Sequence, residues 1–375
     1  MDALELLSGD AQSFLDKIWA SHIHVHHTDP DLLTGLLSMD DVDHLLTSTA
    51  LRAPALRVAK DGQVLPASRF TRAATLAGEP LTGLVDARTV LRLFDEGASV
   101  VLQGLHRYWP ALASLVRELE LSLGHPCQAN AYLTPAGSQG FAVHSDSHDV
   151  FVFQTHGTKQ WEVHDDDGVR DVLLEPGVSM YLPTGTLHAA RAQETASLHV
   201  TIGINQVTWR DLLRRVTTEL LEDQRYDGRL PAGYADDPTV LAGPLREQLR
   251  SLGAHLADQD ADHVAAEESA RFLGGRNPML RGSLTDRLAI DAISDGTPLR
   301  RRPGSACVVS VREGRLRVLL GDRELLMPPR LLDPMQAVRD SSTVCPADLA
   351  PWLDPESRLV LVRRLVREGL LQVIG

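Results

Sequence analysis

Short apolar runs rich in β-branched and aromatic residues follow one another between residues 129 and 205. Residues suited to tight turns, such as His156-Gly157 and Pro176-Gly177, separate these runs. The predicted strands are Asn130–Leu133, Phe141–His144, Asp149–Thr155, Lys159–His164, Asp171–Leu174, Ser179–Leu182 and Ser197–Ile204. Seven short strands at near-even spacing predict a β-sandwich or a jelly-roll barrel.

Helical periodicity, with apolar residues three and four positions apart, flanks this strand-rich region on both sides. Before it, the pattern predicts helices over Thr89–Phe94 and Trp109–Leu123. After Asn205 the strand pattern stops. The helices predicted there are Trp209–Asp223, Pro244–Leu256 and Asp262–Leu273, with a linker rich in proline and glycine at Tyr226–Pro238.

The period changes again near Thr297. Cys307–Val311 and Leu316–Leu320 are predicted strands, and they are followed by a basic, apolar helix at Pro355–Glu368 and a last strand at Leu370–Ile374. Helices combined with a β-hairpin predict a winged-helix module. The predicted fold class is therefore α+β, with domains at residues 1–205, 206–294 and 295–375.

The composition is that of an ordinary soluble globular protein, and it excludes several other classes. The 375 residues are 43% hydrophobic and 23% charged, and no apolar run approaches the roughly 20 residues of a membrane span. The N-terminal residues lack the pattern of a secretory signal. Three widely spaced cysteines predict reduced thiols rather than a disulfide framework. We expect a cytoplasmic protein of two or three domains without membrane association.

The formal net charge of −13 is unevenly distributed. Residues 1–300 carry a net charge of −16, whereas residues 301–375 carry +3. An acidic body disfavours binding to the phosphate backbone of nucleic acids and attracts basic partners. We therefore expect no nucleic-acid partner, although the positive C-terminal module leaves open a regulator that binds DNA or RNA through its winged helix.

The segment His22-Ile-His-Val-His-His27 admits two interpretations. Strand alternation places His22, His24 and His26 on one face, where they could bind a metal ion. The interpretation we favour is a partly exposed strand edge that is rich in histidine.

A candidate metal site combines His144 and Asp146, at the end of a predicted strand, with His188, 44 residues after His144. Side chains two residues apart on a strand point to the same side, so His144 and Asp146 can face one barrel mouth. His188, from a distant strand, completes a site with two histidines and one carboxylate. Such a site leaves adjacent coordination positions open, which suits iron(II) that binds a 2-oxo acid and dioxygen.

Lysine is rare in this chain, and one lysine lies in the strand that follows the metal pair. The chain has three lysines, Lys17, Lys60 and Lys159, compared with 34 arginines. An inward-facing Lys159 can neutralise the distal carboxylate of 2-oxoglutarate, because an unpaired buried carboxylate is costly. Without the metal site, the same residue would be interpreted as an exposed surface lysine.

The stretch from Asn130 to Gln154, followed by Gly157-Thr-Lys-Gln-Trp161, resembles the JmjC-type ribosomal oxygenases of the cupin superfamily. The order of parts is similar too, since these proteins have a JmjC barrel, a helical dimerisation region and a C-terminal winged helix. The resemblance implies a double-stranded β-helix and a homodimer. It also implies an oxygenase that uses iron(II), 2-oxoglutarate and dioxygen to hydroxylate an arginine or a histidine of a protein, above all a basic ribosomal protein.

The resemblance further implies roles for individual residues. The three candidate metal ligands fall on the positions of the iron ligands, and Lys159 falls on the position of the residue that binds the distal carboxylate of 2-oxoglutarate. Asn130 and Tyr132 correspond to positions that line the pocket. Thr201 corresponds to a hydroxyl position near the co-substrate.

The chain departs from its relatives at two places. Ser147-His148-Asp149 stands where relatives usually carry acidic or aliphatic residues, and Gly203 stands where some eukaryotic relatives have a serine that touches the substrate. These differences leave open which residue is hydroxylated. We expect His148 and His199 to be hydrogen-bonded core or rim histidines, with a supporting role beside the metal open for His148.

Two further functions remain open. The same chemistry can act on a peptide or on a small-molecule natural product. A non-oxidative metal-binding cupin would have the same barrel, but its site would be richer in histidine and it would not need Lys159.

Overall fold

The computed structural model describes residues 2–60, 62–138, 143–165, 168–191, 194–312 and 314–374. The chain forms two compact units, residues 1–206 and 207–375. Each unit has an apolar core of its own.

The first unit is a jelly roll with helices packed on its outer side. Its strands are β1 (His24–His27), β2 (Leu56–Lys60), β3 (Gln63–Val64), β4 (Thr71–Leu76), β5 (Glu79–Val85), β6 (Ser99–Leu102), β7 (Cys127–Thr134), β8 (Asp149–His156), β9 (Lys159–Asp165), β10 (Gly168–Leu174), β11 (Val178–Leu182), β12 (His188–Arg191) and β13 (Ser197–Ile204). Its helices are α1 (Ala3–Ser8), α2 (Ala11–Lys17), α3 (Pro30–Thr34), α4 (Met39–Ser48), α5 (Ala87–Asp95) and α6 (Pro110–Leu123).

Two sheets enclose the barrel interior. The larger sheet has the strand order β1-β11-β8-β13-β7-β6-β2-β3, and the smaller one has the order β10-β9-β12. On β8, Phe151 and Phe153 pack into the core on the helix side, whereas Val150 and Val152 pack toward the smaller sheet. A strand that is buried on both faces needs apolar residues at nearly every position, which explains the continuous apolar run in this part of the sequence.

The strands predicted from the barrel sequence are present, and one prediction falls partly outside the described residues. The predicted strand Phe141–His144 includes residues 141 and 142, which the structure does not describe. β12 is the distant strand on which His188 was expected, although its bounds were not predicted. The strands β2 to β6 were not predicted. β2, β3 and β6 join the larger sheet through the pairing of β6 with β7, which depends on contacts that are remote in sequence, and β4 and β5 pair with each other in a separate sheet.

The second unit combines helices with two small sheets. Its elements are α7 (Trp209–Leu220), α8 (Thr239–Ala257), α9 (Ala261–Gly274), α10 (Ser283–Leu288), β14 (Leu299–Arg301), β15 (Val308–Arg312), β16 (Arg315–Leu319), β17 (Glu324–Met327), α11 (Leu332–Asp340), β18 (Thr343–Val344), α12 (Pro355–Arg367) and β19 (Leu371–Val373). One sheet has the order β18-β14-β19 and the other the order β15-β16-β17. The winged-helix module, the dimerisation region and the three-domain division stay predictions.

The start of α8 differs from the sequence prediction. The helix begins at Thr239, so Pro244 lies inside it rather than at its first turn. Asp237 accepts hydrogen bonds from the backbone N of Thr239 at 2.9 Å and from its hydroxyl at 2.6 Å. This capping interaction supports an earlier helix start than the proline alone suggests.

A buried ion pair stabilises the second unit. Arg302 and Asp286 are 3% and 6% exposed and are joined by a salt bridge. The Arg302 guanidinium also donates to the carbonyl oxygen of Gly369 at 3.0 Å, and Asp286 accepts from the backbone N of Val373 at 3.1 Å. The pair therefore connects α10 to the segment that ends in β19.

Candidate active site

Alternation along the central strands decides which side chains face the barrel interior. On β13, the even-numbered residues of Leu198–Ile204 pack into the core against the helices, so His199 and Thr201 point to the opposite side and line a cavity there. In the antiparallel register with β7, Tyr132 lies opposite His199, and Asn130 lies opposite Thr201. These strands therefore build one wall of the site.

The three predicted metal ligands come together at the barrel mouth. His144 and His188 form an antiparallel bridge with reciprocal backbone hydrogen bonds of 3.0 and 2.8 Å, and their ring centroids are 4.5 Å apart. Asp146 Oδ2 lies 3.7 Å from His188 Nε2. One ligand atom from each residue lies within 4.8 Å of the other two, so the cluster can hold a metal ion.

The turn before β12 fixes the orientation of the His188 ring. His188 Nδ1 donates a hydrogen bond to the carbonyl oxygen of Thr186 at 2.9 Å, which leaves Nε2 facing Asp146. The Asp146 carbonyl oxygen accepts from the backbone N of Gly185 at 3.0 Å. Burial lowers the pKa of His188 below its ordinary value, which favours the neutral imidazole that metal ions bind.

A buried carboxylate, that of Asp149, holds the same turn by hydrogen bonds. Asp149, at the start of β8, is fully buried and accepts hydrogen bonds from the Thr184 backbone N and hydroxyl, both at 2.7 Å. It also accepts from the Tyr181 hydroxyl and from Gln206 Nε2, the latter at 2.6 Å. Asp149 thereby ties the strand after Asp146 to the turn that carries His188. The sequence analysis missed this role, because its partners are distant in sequence.

An inner cavity of about 540 Å³ extends from the metal cluster into the barrel, and Lys159 lines it. Lys159 is only 2% exposed, and its ammonium has no hydrogen-bond or ion-pair partner among the described residues. Burial lowers the pKa of Lys159 to about 8. A buried unpaired ammonium is unfavourable by itself, so this position suits an anionic ligand.

Three rings form the wall beside this lysine. Tyr132 stacks on His199 with centroids 5.0 Å apart, and Trp161 meets His199 edge-on at 5.5 Å. Burial, followed by the nearby charge of Lys159, lowers the pKa of His199 to about 3 and keeps this ring neutral. Trp161 Nε1 and His199 Nδ1 are buried without hydrogen-bond partners among the described residues. His199 is thus a core histidine as predicted, but the hydrogen bond expected for it is missing at Nδ1.

An outer cavity of about 600 Å³ adjoins the inner one. Tyr132 and Thr201 line both cavities and form a side-chain hydrogen bond with each other. Asn130 lines the outer cavity, and its Oδ1 accepts from the backbone N of Gly104 at 3.0 Å. The structure therefore places these three residues at the pocket, with Asn130 further out than the other two.

Some lining residues come from the strands and the helix α5 that precede β7, outside the sequence motif that indicates the site. Arg57 on β2 lines both cavities, and its Nε is buried without a hydrogen-bond partner among the described residues. Lys60 and Glu96 line the inner cavity with 3.9 Å between Nζ and Oε2. Trp161 stood in the motif that carries the resemblance, but it was given no role there.

The histidine-rich segment lies away from this cluster in the sheet order. β1 is the edge strand of the larger sheet, in line with the favoured interpretation. His24 Nε2 is hydrogen-bonded to the carbonyl oxygen of Ser8 at 2.9 Å. Within the described ranges, His144, Asp146 and His188 form the one group of three or more residues that can hold a metal ion.

Comparison with known families supports the resemblance. The profile of the JmjC domain family matches residues 106–170 and 164–212, which include the metal cluster and Lys159. The chain is 36% identical over 162 residues to the bifunctional lysine-specific demethylase and histidyl-hydroxylase NO66 of Branchiostoma floridae, covering 41% of this chain and 26% of that protein. It is 28% identical over 332 residues to human ribosomal oxygenase 1, covering 78% of this chain and 49% of that protein. The chain thus spans about half the length of its curated relatives or less.

Solved structures show that the similarity extends through both units. Escherichia coli ribosomal oxygenase YcfD has a TM-score of 0.56 and 18% identity, with 98% of this chain and 99% of that chain covered. A structure of YcfD in complex with cobalt and 2-oxoglutarate matches with the same values. At this identity, the likeness shows a shared fold.

Fold and site together define a JmjC-type jelly roll with a two-histidine, one-carboxylate cluster at its mouth. The chain contains a JmjC domain and is related to the ribosomal oxygenases, which confirms the resemblance seen in its sequence. Among the described residues, no helix has both the length and the apolar character needed to cross a bilayer.

Proposed function

We propose that the protein is an iron(II)- and 2-oxoglutarate-dependent oxygenase that hydroxylates an arginine or histidine side chain of a protein, above all a ribosomal protein. One observation carries this proposal. The metal-binding cluster and a buried, unpaired lysine line the same cavity, so a metal ion and a dicarboxylate can be bound together.

The donor set fits iron(II). Two neutral imidazoles and one carboxylate form the facial arrangement that non-haem iron oxygenases use. His144, Asp146 and His188 would hold the metal, and the Thr186 carbonyl keeps His188 Nε2 directed at it. Iron(II) and 2-oxoglutarate together would activate dioxygen, which is the oxidant but reacts too slowly with an unactivated C–H bond by itself; oxidative decarboxylation of 2-oxoglutarate to succinate and carbon dioxide would supply two of the four electrons that dioxygen takes up, and the C–H bond the other two.

Lys159 would bind and orient the co-substrate. Its ammonium pairs with the distal carboxylate, and this pairing replaces the water that the lysine lost on burial. His199 beside it is neutral, so Lys159 is the cation that would bind the carboxylate on this side of the pocket. Trp161 and Tyr132 line the pocket beside His199, and the buried Trp161 Nε1, which has no partner among the described residues, can donate to a ligand oxygen.

The charge of the first unit supports a basic protein substrate. Residues 1–206 contain 13 lysines and arginines against 25 aspartates and glutamates. Such a field accelerates association with cationic proteins, and ribosomal proteins are cationic. Relatives are named ribosomal oxygenase and histidyl-hydroxylase, and on that basis we propose a ribosomal protein as the substrate of this chain. We also propose that the protein acts in the cytoplasm, as its sequence leads us to expect.

Two measurements on the purified protein with iron(II), 2-oxoglutarate and air test the proposal. We expect succinate formation and a gain of one oxygen on a ribosomal protein in intact-mass spectra. His144→Ala and Asp146→Ala should abolish both, whereas His44→Ala, which changes an exposed histidine on α4, should not. Full turnover in Asp146→Ala would contradict the assignment.

Two other outcomes would favour the alternative functions. Succinate formation without any protein hydroxylation would indicate that the substrate is a peptide or a small metabolite. Binding of a metal without 2-oxoglutarate would indicate a non-oxidative cupin.

We also propose that α8 forms part of a homodimer interface. None of the 19 residues of this fully described helix is buried, even though five of them are leucines on one face: Leu241, Leu245, Leu249, Leu252 and Leu256. Leu245 and Leu249 are 47% and 60% exposed. An apolar helical stripe of this kind gains free energy by packing against a symmetry-related copy.

Light scattering tests the dimer. The unmodified chain should have twice its 41.0 kDa mass, and Leu245→Glu combined with Leu249→Glu should shift it toward the monomer. Leu326→Glu on β17 is the matched control, because that leucine is 59% exposed and lies in a different element. A monomeric unmodified chain at working concentration would exclude the dimer.

A further inference from the structure

The outer cavity reaches the metal cluster, because Asp146 is one of its lining residues. Gln103, Arg107 and Tyr108 also line it. Because Lys159 lines the inner cavity and is absent from the lining of the outer one, the two cavities divide the site into a co-substrate part and a second, more open part.

The charges of the described lining residues are predominantly positive. Arg57 and Arg107 are cationic, and Asp146 is the one carboxylate among these residues. Asp146 is committed to the metal cluster, so a bound divalent ion cancels its charge. Neither arginine has an ion-pair partner among the described residues. A guanidinium or ammonium group entering this cavity would meet two cations and no free carboxylate, which is unfavourable for a desolvated charge.

The polar groups of the cavity suit a side chain without a positive charge instead. Gln128, Thr201 and Tyr132 present amide and hydroxyl groups, which can donate as well as accept. The Asn130 Oδ1 acceptor is already engaged by the backbone N of Gly104. The lining therefore offers neutral hydrogen bonds, and its charged groups are donors.

His148 narrows the cavity at the position where the chain departs from its relatives. A Cβ atom on Gly203 would lie 2.7 Å from His148 Nε2 and 2.8 Å from its Cδ2, closer than real contacts allow. Glycine at 203 thus makes room for the imidazole, which lines the outer cavity beside it. A serine or alanine at 203 would push His148 out of this position.

We propose that the outer cavity accepts a hydrogen-bonding target side chain without a positive charge and rejects arginine and lysine. Arg57 and Arg107 exclude cations, and His148, packed beside Gly203, sets the shape of the cavity. This inference rests on the proposed oxygenase function and narrows its substrate class. A basic protein can still be the substrate, because the acidic unit attracts the whole protein whereas the cavity selects one side chain.

A census of hydroxylated residues tests the selection. A peptide library prepared from a whole-proteome digest is incubated at pH 8 with the iron-loaded enzyme, 2-oxoglutarate and air, and each site that gains one oxygen is located by fragmentation. We expect the frequency of hydroxylation per residue present in the library to be at least tenfold higher at residues without a positive charge, histidine and the amides included, than at arginine or lysine. Modification mainly at arginine or lysine would overturn the inference and leave the oxygenase function intact. A lack of hydroxylated peptides and ribosomal proteins would overturn both.

A charge reversal at the rim provides a second readout. Arg107→Glu places a carboxylate in the cavity at an exposed position, and it should raise the fraction of arginine and lysine sites several-fold. Arg88→Glu makes the same change at an exposed position of α5 that lines neither cavity, and it should leave the residue distribution unchanged.

The shape element is tested at Gly203. Gly203→Ser should displace His148 and thereby lower the rate of peptide hydroxylation at least tenfold. The affinity for 2-oxoglutarate should stay unchanged, because His148 lines the outer cavity and not the inner one. An unchanged hydroxylation rate in Gly203→Ser, or an unchanged residue distribution in Arg107→Glu, would contradict the corresponding part of the proposal.

Discussion

Lys159 destabilises the fold in the absence of a ligand and is needed for the function that we propose. Its pKa of about 8 in place of 10.5 means that the folded protein resists charging it. We expect Lys159→Met to raise the free energy of unfolding at pH 7 by about 3 kcal/mol, since a shift of one pKa unit corresponds to about 1.4 kcal/mol. The same variant should lose 2-oxoglutarate binding. Chemical unfolding and calorimetric titration of the manganese-loaded protein measure the two effects.

The stabilisation by Lys159→Met should itself depend on pH. Below pH 8 the lysine is charged in both the folded and the unfolded state, so its penalty is complete, and the penalty fades between about pH 8 and 10.5 as the folded lysine loses its proton first. A gain in stability that is the same at pH 7 and pH 10 would contradict this account.

Co-substrate affinity should weaken in alkaline solution for the same reason. The carboxylate binds the protonated amine, so above pH 8 the dissociation constant of 2-oxoglutarate should rise about tenfold per pH unit. Lys159→Arg keeps its charge throughout this range and should show a flat profile, whatever its absolute affinity. A flat profile in the unmodified protein would disprove the role of Lys159 as the titrating group.

At the scale of elements, the turn between β11 and β12 is the support of the metal cluster. Asp149 holds this turn through Thr184 and is fully buried. Asp149→Asn replaces a charged acceptor of several donors by an amide, and we expect a loss of about 3 kcal/mol in stability and about tenfold to hundredfold in metal affinity. Unfolding curves and titration with cobalt(II) measure both losses.

Thr184→Val is the graded comparison for the Asp149 substitution. It removes the hydroxyl donor and keeps the backbone donor, so the loss of stability should be about 1 kcal/mol. A larger effect in Thr184→Val than in Asp149→Asn would show that the carboxylate is not the centre of the cluster.

The elements differ in how far the sequence could predict them. β8 and β13 are buried on both faces, so their long apolar runs identify them directly. β12 has only four residues, and its pairing with β9 decides its conformation. His144, Asp146 and Lys159 were predicted because they lie in one family-like stretch of sequence, and His188 was predicted because it follows 44 residues after His144. Arg57 could not be predicted as a site residue, because it lies on β2, far from these residues in the sequence, and only the folded sheet places it at the cavity.

The two units have separate apolar cores and separate means of stabilisation. In the second unit, removing Asp286 leaves the Arg302 guanidinium buried without its counter-ion. We expect Asp286→Ala to destabilise this unit by about 3–5 kcal/mol, the usual effect of breaking a buried pair. Metal and 2-oxoglutarate binding by the first unit should persist, as measured by calorimetric titration below the unfolding transition.

An exposed ion pair of the same unit gives the comparison. Asp322 pairs with Arg323 at 3.0 Å, with both side chains about one-third exposed. Asp322→Ala should change the stability by less than about 1 kcal/mol, because solvent screens such a pair. Equal effects of Asp286→Ala and Asp322→Ala would mean that burial of the first pair has no energetic consequence.

The fluorescence of Trp161 should report whether the pocket is occupied, because its indole N–H is unpaired among the described residues. This ring is one of five tryptophans, lies 5.8 Å from the His188 ring and lines the inner cavity. A paramagnetic ion on the cluster would quench its emission, and an oxygen that accepts from its N–H would shift the wavelength. The intrinsic fluorescence therefore reports each filling step without a label, and Trp161→Phe supplies the background of the other four indoles.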